Sequence, residues 1–207
     1  MVAIVDYGVG NLFSLQSSFA AIGAEVAVTA QKEVLEAADC IVLPGVGAFE
    51  DAAKKLRSSG LDQTLKELAA KGKPLMGICL GMQLLFERSY EYGCHEGLGL
   101  LKGSVRPIGD VIPTDYKIPH IGWNGLILKQ RSPLLKYIHK GECVYFVHSY
   151  YAADCAPAVI ATAEYGAELT AAVAEGNVMG CQFHPEKSGD VGLKILKAFV
   201  EMGESKT

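Results

Sequence analysis

The amino-acid sequence predicts an α/β fold: a mostly parallel, doubly wound sheet of flavodoxin-like type that gains antiparallel extensions in its second half. Three observations carry that prediction. In the first half, short apolar runs alternate with stretches whose apolar residues recur at helical spacing, the pattern of strand–helix crossovers that cover both faces of a parallel sheet. From Gly97 onward the apolar runs are separated by turns instead of helices, as in hairpin extensions. The 207 residues are 50% hydrophobic, with 23 glycines and 8 prolines scattered along them. That suffices for one well-buried domain over residues 1–207, and it leaves no linker, repeat or low-complexity segment.

In chain order, Val2–Asp6 is the first strand and Tyr7-Gly8-Val9-Gly10 its turn. Asn11 is placed to cap a helix running to about Ile22, with Leu12, Leu15, Phe19 and Ile22 on one face and Gly23 as its stop. Ala24–Thr29 reads as a strand, Gln31–Ala37 as a short helix and Cys40–Leu43 as a third strand. Pro44-Gly45-Val46-Gly47-Ala48-Phe49 then leads into two helices ending near Lys71. Pro74–Ile78 is the fourth strand, followed by Met82–Phe86 as an apolar helix face. Beyond Gly97, strands are expected at Lys102–Arg106, Tyr116–Pro119, Leu126–Leu128, Glu142–Tyr150, Val159–Tyr165, Leu169–Glu175 and Val178–Gln182. A packing helix, Gly189–Met202, follows.

The fourth junction carries the chemistry. Gly77 and Gly81 bracket Cys79, so strand, sharp turn and helix meet with a thiol at the apex, the layout of the G-x-S-x-G elbow with Cys for Ser. The glycines remove side chains where strand and helix backbones crowd and tolerate unusual dihedrals. A helix N-terminus favours thiolate over thiol. The same residues would also suit an inert buried cysteine in a glycine-rich crossover. The Pro44–Ala48 loop, from the neighbouring crossover, offers backbone N–H groups that could face the sulfur, or it is an ordinary turn. Neither it nor Gly8–Asn11 fits a dinucleotide or P-loop phosphate motif.

A cysteine nucleophile needs a base and a group that orients the base. Of five histidines, His184 follows an apolar strand and precedes Pro185 and Glu186. Proline biases His184 toward extended backbone, where residues two apart share a side, so Glu186 can reach one ring nitrogen and leave the other for the sulfur. His-Pro-Glu could equally be a strand-end turn with solvated charges.

Net charge is −4, and the absence of long basic runs excludes nucleic acid as the main partner class. No apolar stretch reaches the length of a membrane span, and the start lacks the pattern of a signal peptide. Six cysteines, spread singly with no C-x-x-C pair, suit a reducing, cytoplasmic compartment.

GICLGMQLLF and FHPEKS resemble the class I, triad-type glutamine amidotransferases. Within that group, DYGVGNL, LPGVGAF, HIGWN and YFVHSYY look like the glutaminase subunits of imidazole glycerol phosphate synthase, over a span from Ile4 to the last helix. The resemblance implies a Cys79–His184–Glu186 triad that hydrolyses glutamine through a glutamyl thioester. It implies an oxyanion hole from the Leu80 N–H and the Gly45–Val46–Gly47 backbone, and a glutamine site at Gly47, Gln83, His148, Ser149 and Tyr150. It implies no cofactor and no metal. The ammonia would pass to a (β/α)8-barrel cyclase in a heterodimer that makes imidazole glycerol phosphate for histidine biosynthesis. That partner is expected as a separate chain, since nothing after Met202 could encode it, and Asn11, Trp123 and Lys187 are expected at or near the shared face. Trp123, the only tryptophan, would alternatively be a core residue. Implied too is an inactive resting state, for which the glycine-flanked Val46–Gly47 peptide is the candidate switch, its carbonyl turned toward the oxyanion site, unless the loop only packs and the partner closes the site against water. Two alternatives stay open: the glutaminase partner of another synthase, such as the pyridoxal phosphate type, and a non-enzymatic thiol sensor on a similar fold.

Overall fold

The computed structural model describes residues 1–204. The first half alternates as expected: β1 (Val2–Val5), α1 (Leu12–Ala21), β2 (Val26–Thr29), α2 (Lys32–Ala37), β3 (Cys40–Leu43), α3 (Phe49–Ser58), α4 (Leu61–Ala70), β4 (Leu75–Ile78) and α5 (Leu80–Leu84). Then come β5 (Phe86–Ser89), β6 (His95–Glu96), β7 (Leu101–Pro107), β8 (His120–Gly125), β9 (Ile127–Leu128), β10 (Cys143–His148) and β11 (Tyr150–Ala153). The chain closes with β12 (Val159–Glu164), β13 (Glu168–Glu175), β14 (Val178–Cys181) and α6 (Gly189–Glu204).

The main sheet has the order β2-β1-β3-β4-β14-β13-β12-β9. From β2 through β14 the neighbours are parallel, and from β14 to β9 they are antiparallel. The late strand β14 therefore does more than extend the edge. It lies parallel beside β4, with Gly180 opposite Gly77 and Cys181 opposite Ile78. This juxtaposition brings the residues after Cys181 next to the residues after Ile78.

Alternation along the strands divides the core. Ala3, Val5, Ile41 and Leu43 join Phe49, Leu56, Leu65 and Leu68 of α3 and α4 on one face. Val2, Ile4, Cys40 and Val42 join Leu15 and Phe19 of α1 and Ile195, Leu196 and Phe199 of α6 on the other. Each of the larger side chains contributes about 1.5–3 kcal/mol by leaving water. Asn11 caps α1 by accepting from the Ser14 N–H, and Gly23, at φ +78°, ends it. Among the described residues no helix is long and apolar enough to cross a membrane.

Three local expectations are corrected. Phe86 starts β5 instead of continuing the elbow helix, because the chain turns to pair with Leu101 of β7. Tyr116–Pro119 is not a strand: the Tyr116 N–H closes a turn onto the Pro113 carbonyl, and Pro119 has no N–H for a ladder. The stretch Glu142–Tyr150 is no single strand either. It changes sheets at Ser149, β10 pairing with β8 and β11 with β7.

Candidate active site

Cys79 stands at the carboxyl end of β4 with φ +55° and ψ −115°, a conformation that residues with side chains rarely adopt. Close packing holds it there. A Cβ on Gly81 would lie 1.9 Å from the Leu43 carbonyl oxygen, and one on Gly77 would lie 2.5 Å from the Gly81 oxygen. The Cys79 N–H donates to the Cys181 carbonyl at 2.7 Å, so β14 fixes the elbow from the other side. Gln182 places its amide nitrogen 3.9 Å from the sulfur.

His184 emerges from β14 on the same edge. Its N–H donates to the Tyr145 carbonyl at 3.0 Å, and its own carbonyl accepts from the Ser188 hydroxyl at 2.6 Å. His184 Nδ1 lies 2.8 Å from Glu186 Oε1, both side chains being 4% exposed. His184 is extended, at φ −99° and ψ 100°, as expected of a residue before proline, and the one-turn 3₁₀ segment at Pro185–Lys187 that follows brings Glu186 back to its ring. With Nδ1 committed to the carboxylate, Nε2 is left for the sulfur. Burial pulls the imidazole toward neutrality. Hydrogen bonds to Cys79 and Glu186 outweigh it and raise its pKa to about 9.

Cys79 and His184 open into a cleft of about 540 Å³ that is also lined by Val46, Gly47, Leu80, Gln83 and His148–Tyr150. The structure thus brings together the residues of the expected triad, Val46, Gly47 and Leu80 of the two expected oxyanion segments, and the expected glutamine-binding segments. Among the described residues no backbone group accepts from the N–H of Leu80 or Gly47. Gly45, expected with them, does not line the cleft. A Cβ there would meet the Gly81 nitrogen at 2.7 Å, so Gly45 lets the loop abut α5. Gln83 donates to the Tyr150 carbonyl at 3.1 Å and to Gln182 Oε1 at 3.0 Å, tying α5 to β11 and β14.

Burial pushes the thiols of Cys40 to about 12 and Cys155 to about 11, and raises Cys181 as well, so these three stay protonated near neutral pH. Among the described residues Cys79 is the only cysteine in the cleft wall.

Several contributors escaped the sequence reading. Glu91 and Tyr92 line the cleft. Glu91 accepts from the Phe49 N–H at 2.7 Å at the start of α3, and burial raises its pKa. Nothing local in the segment after the elbow helix marks it as cleft wall; pairing of β5 with β7 puts it there. Tyr7 donates to the Pro44 carbonyl at 2.7 Å and pins the loop before Gly45.

Of the expected interface residues, Trp123 is 54% exposed and lies 5.9 Å from the Tyr145 ring, over which Lys187 Nζ stands at 5.9 Å. The two therefore meet on one rim beside His184. Asn11 is exposed at the start of α1, which packs on the Pro185–Lys187 turn.

The sequence profile of the class-I glutamine amidotransferases matches residues 3–202. Imidazole glycerol phosphate synthase subunit HisH of Caldanaerobacter subterraneus subsp. tengcongensis is 48% identical over 203 residues, covering 98% of each chain. The HisH subunit of Bacillus cereus strain G9842 is 50% identical, covering 96% of this chain and 93% of its own. Among solved structures, a glutamine amidotransferase superposes with TM-score 0.78 at 20% identity, over 99% of this chain and 100% of the other. PurLQS from Thermotoga maritima gives TM-score 0.76 at 23% identity, over 97% of both. These last two establish likeness of fold.

Proposed function

Because the chain belongs to the class-I glutamine amidotransferase family, we propose that it works as the glutaminase subunit of imidazole glycerol phosphate synthase, with Cys79, His184 and Glu186 as its triad. The observation that carries the reading is the convergence, in one cleft, of an elbow cysteine and a histidine whose far nitrogen is held 2.8 Å from a buried carboxylate. Full-length relatives at 48–50% identity direct the ammonia toward this synthase instead of a pyridoxal phosphate one. A thiol sensor has no use for the His184–Glu186 pair.

The Cys79 sulfur attacks the side-chain carbonyl carbon of glutamine. The C–O π pair moves onto oxygen, and the N–H groups of Leu80 and Gly47 receive it. His184, positively charged near neutral pH through its contacts with Cys79 and Glu186, gives its Nε2 proton to the amide nitrogen. The C–N bond then breaks and ammonia leaves with a glutamyl thioester behind it. The now neutral imidazole takes a proton from water, hydroxide adds to the thioester, and glutamate departs as the sulfur is regenerated. Glu186 holds the Nδ1 tautomer and stabilises the imidazolium throughout. Glu91, in the cleft wall, supplies a carboxylate for the substrate's ammonium group.

The partner is a (β/α)8-barrel cyclase bound as a heterodimer, on the rim that carries Trp123 and Lys187 and extends toward Asn11. The free cysteines among the described residues suit a cytoplasmic assembly. Mixing the chain with such a cyclase tests the reading. Glutamine-dependent ring closure is expected from the mixture, and its absence with a cyclase that responds to free ammonia overturns the assignment.

A further inference from the structure

Two histidines join the cleft to β8, and their hydrogen bonds demand more protons than two neutral imidazoles hold. His148 Nδ1 lies 2.8 Å from the Tyr150 carbonyl oxygen. His120 Nε2 lies 2.7 Å from Asn124 Oδ1. Carbonyl oxygens only accept, so both ring nitrogens carry hydrogen. The Asn124 amide is not free to turn over, because its Nδ2 donates to the Glu164 carbonyl at 2.9 Å and a flip would set two oxygens against each other. The remaining nitrogens, His120 Nδ1 and His148 Nε2, face each other at 3.0 Å. In a neutral pair both protons are already committed outward, and two lone pairs would meet at hydrogen-bonding distance.

We infer that His120 and His148 hold a third proton between them, forming a monocation whose shared N–H–N bond places a fixed positive charge in the wall of the glutamine cleft. Its surroundings fit a cation. His120 is 1% exposed and stacks on the rings of Tyr165, 4.0 Å away, and Phe146, 5.1 Å away, tilted by 21° and 23°. Stacked aromatic faces attract positive charge. The groups facing the pair are the Tyr165 and Phe146 rings, Asn124, the Tyr150 carbonyl and, from the turn after β14, His184. Among the described residues no carboxylate hydrogen-bonds either ring. Burial, and after it repulsion from His120 and from His184, pull His148 toward the neutral form, to about 4, and burial pulls His120 the same way. Against that pull stand three hydrogen bonds that the neutral pair cannot all make, so the charge titrates as a property of the pair.

The charge has a place to act. His148 lines the cleft where sulfur and glutamine oxygen become anionic. His120 and Asn124 lie on β8 with Ile121 and Trp123, both more than half exposed. His120 and His148 are thus positioning residues that tie the exposed edge of β8 to the electrostatics of the cleft. The catalytic consequence rests on the glutaminase reading; the proton count does not.

Ring-nitrogen NMR of the full chain labelled with ¹⁵N-histidine tests the count near neutral pH. Three ring protons are expected on the pair, with coupling across the central N–H–N. Asn124→Ala removes the acceptor that holds a proton on His120 Nε2. That proton can move to Nδ1 and satisfy His148, so the variant pair should be neutral with two protons. Asn124→Asp should keep three and hold them to higher pH. Two protons in the wild type, or an unchanged count in folded Asn124→Ala, overturns the inference. If the counts come out as expected, the pH profile of glutamine kcat/KM should lose one alkaline limb in Asn124→Ala. An identical profile overturns the positioning role while leaving the count intact. Absence of any glutaminase activity in the wild-type complex bears on the proposed function alone.

Discussion

Gly81→Ala is the sharpest perturbation of the elbow. The new Cβ would lie 1.9 Å from the Leu43 carbonyl oxygen and 2.8 Å from its carbon, both backbone atoms at the end of β3. A close carbon–oxygen contact is roughly 3.3 Å, so α5 and β3 must separate by about 1.4 Å. That gap opens between the Cys79 helix and the Pro44–Gly47 loop, the two proposed sources of oxyanion donors. A displacement of about 1 Å costs on the order of 10²-fold in rate, and overpacking of this kind costs about 1–3 kcal/mol. For a chain of this size that is a fall in Tm of roughly 2–12 °C. The expected result is a folded, less stable protein whose kcat in the cyclase complex drops about 100-fold. Gly176→Ala serves as control. Gly176 has φ +60° in the β13–β14 turn with nothing within 4 Å, so it should lose about 1–2 kcal/mol and no activity. A folded Gly81→Ala with wild-type kcat would refute the claim that backbone contact between α5 and β3 sets the site.

Other variants probe the triad and the loop. Glu186→Gln should lower kcat roughly 10- to 100-fold. It should also move the alkaline limb of the pH profile to lower pH, because His184 is needed protonated, holds its proton up to about 9 and loses part of its support with the carboxylate. An unmoved limb would assign the orienting role elsewhere. Gly47→Pro removes the N–H proposed as an oxyanion donor and forbids the observed φ of +92°. Complex formation and glutamine binding should survive while partner-stimulated hydrolysis falls, and unchanged stimulation would exclude the Gly47 donor. Cys40 titrates near 12 in the fold against an ordinary thiol value of 9.0, so the folded state keeps a proton that the unfolded chain loses. Its stabilising effect is complete below about 9 and declines as pH rises toward 12. Cys40→Ala should flatten that alkaline decline in Tm, and an equal slope in both proteins would contradict it.

The parallel half of the sheet was legible because its signals are local. Apolar runs such as Cys40–Leu43 are buried on both faces, and Asn11 and Gly23 punctuate the first helix where they stand. The elbow was legible for the same reason: Gly77, Cys79 and Gly81 lie within five residues. The contact of His184 with Glu186 was legible too, from the extended backbone that Pro185 imposes on His184, whereas the 3₁₀ turn that completes it was not. What stayed hidden depends on contacts distant in sequence. The β5–β7 pairing that carries Glu91 and Tyr92 to the cleft leaves no periodic trace, and neither does the change of sheet at Ser149. His120 carried no chemistry when read alone. Its meaning comes from His148, Asn124 and the Glu164 carbonyl, residues that only the folded chain assembles.

The most direct test of a Cys79 glutaminase that feeds a cyclase follows the nitrogen. The complex is supplied with amide-¹⁵N glutamine and the ring-closed product is weighed by mass spectrometry, for the wild type and for Cys79→Ala. The wild type should place ¹⁵N in the product. Cys79→Ala should give none from glutamine and normal product from added ammonium salts. Labelled product from Cys79→Ala, or a wild-type complex that leaves the label in glutamine while using free ammonia, would contradict the account.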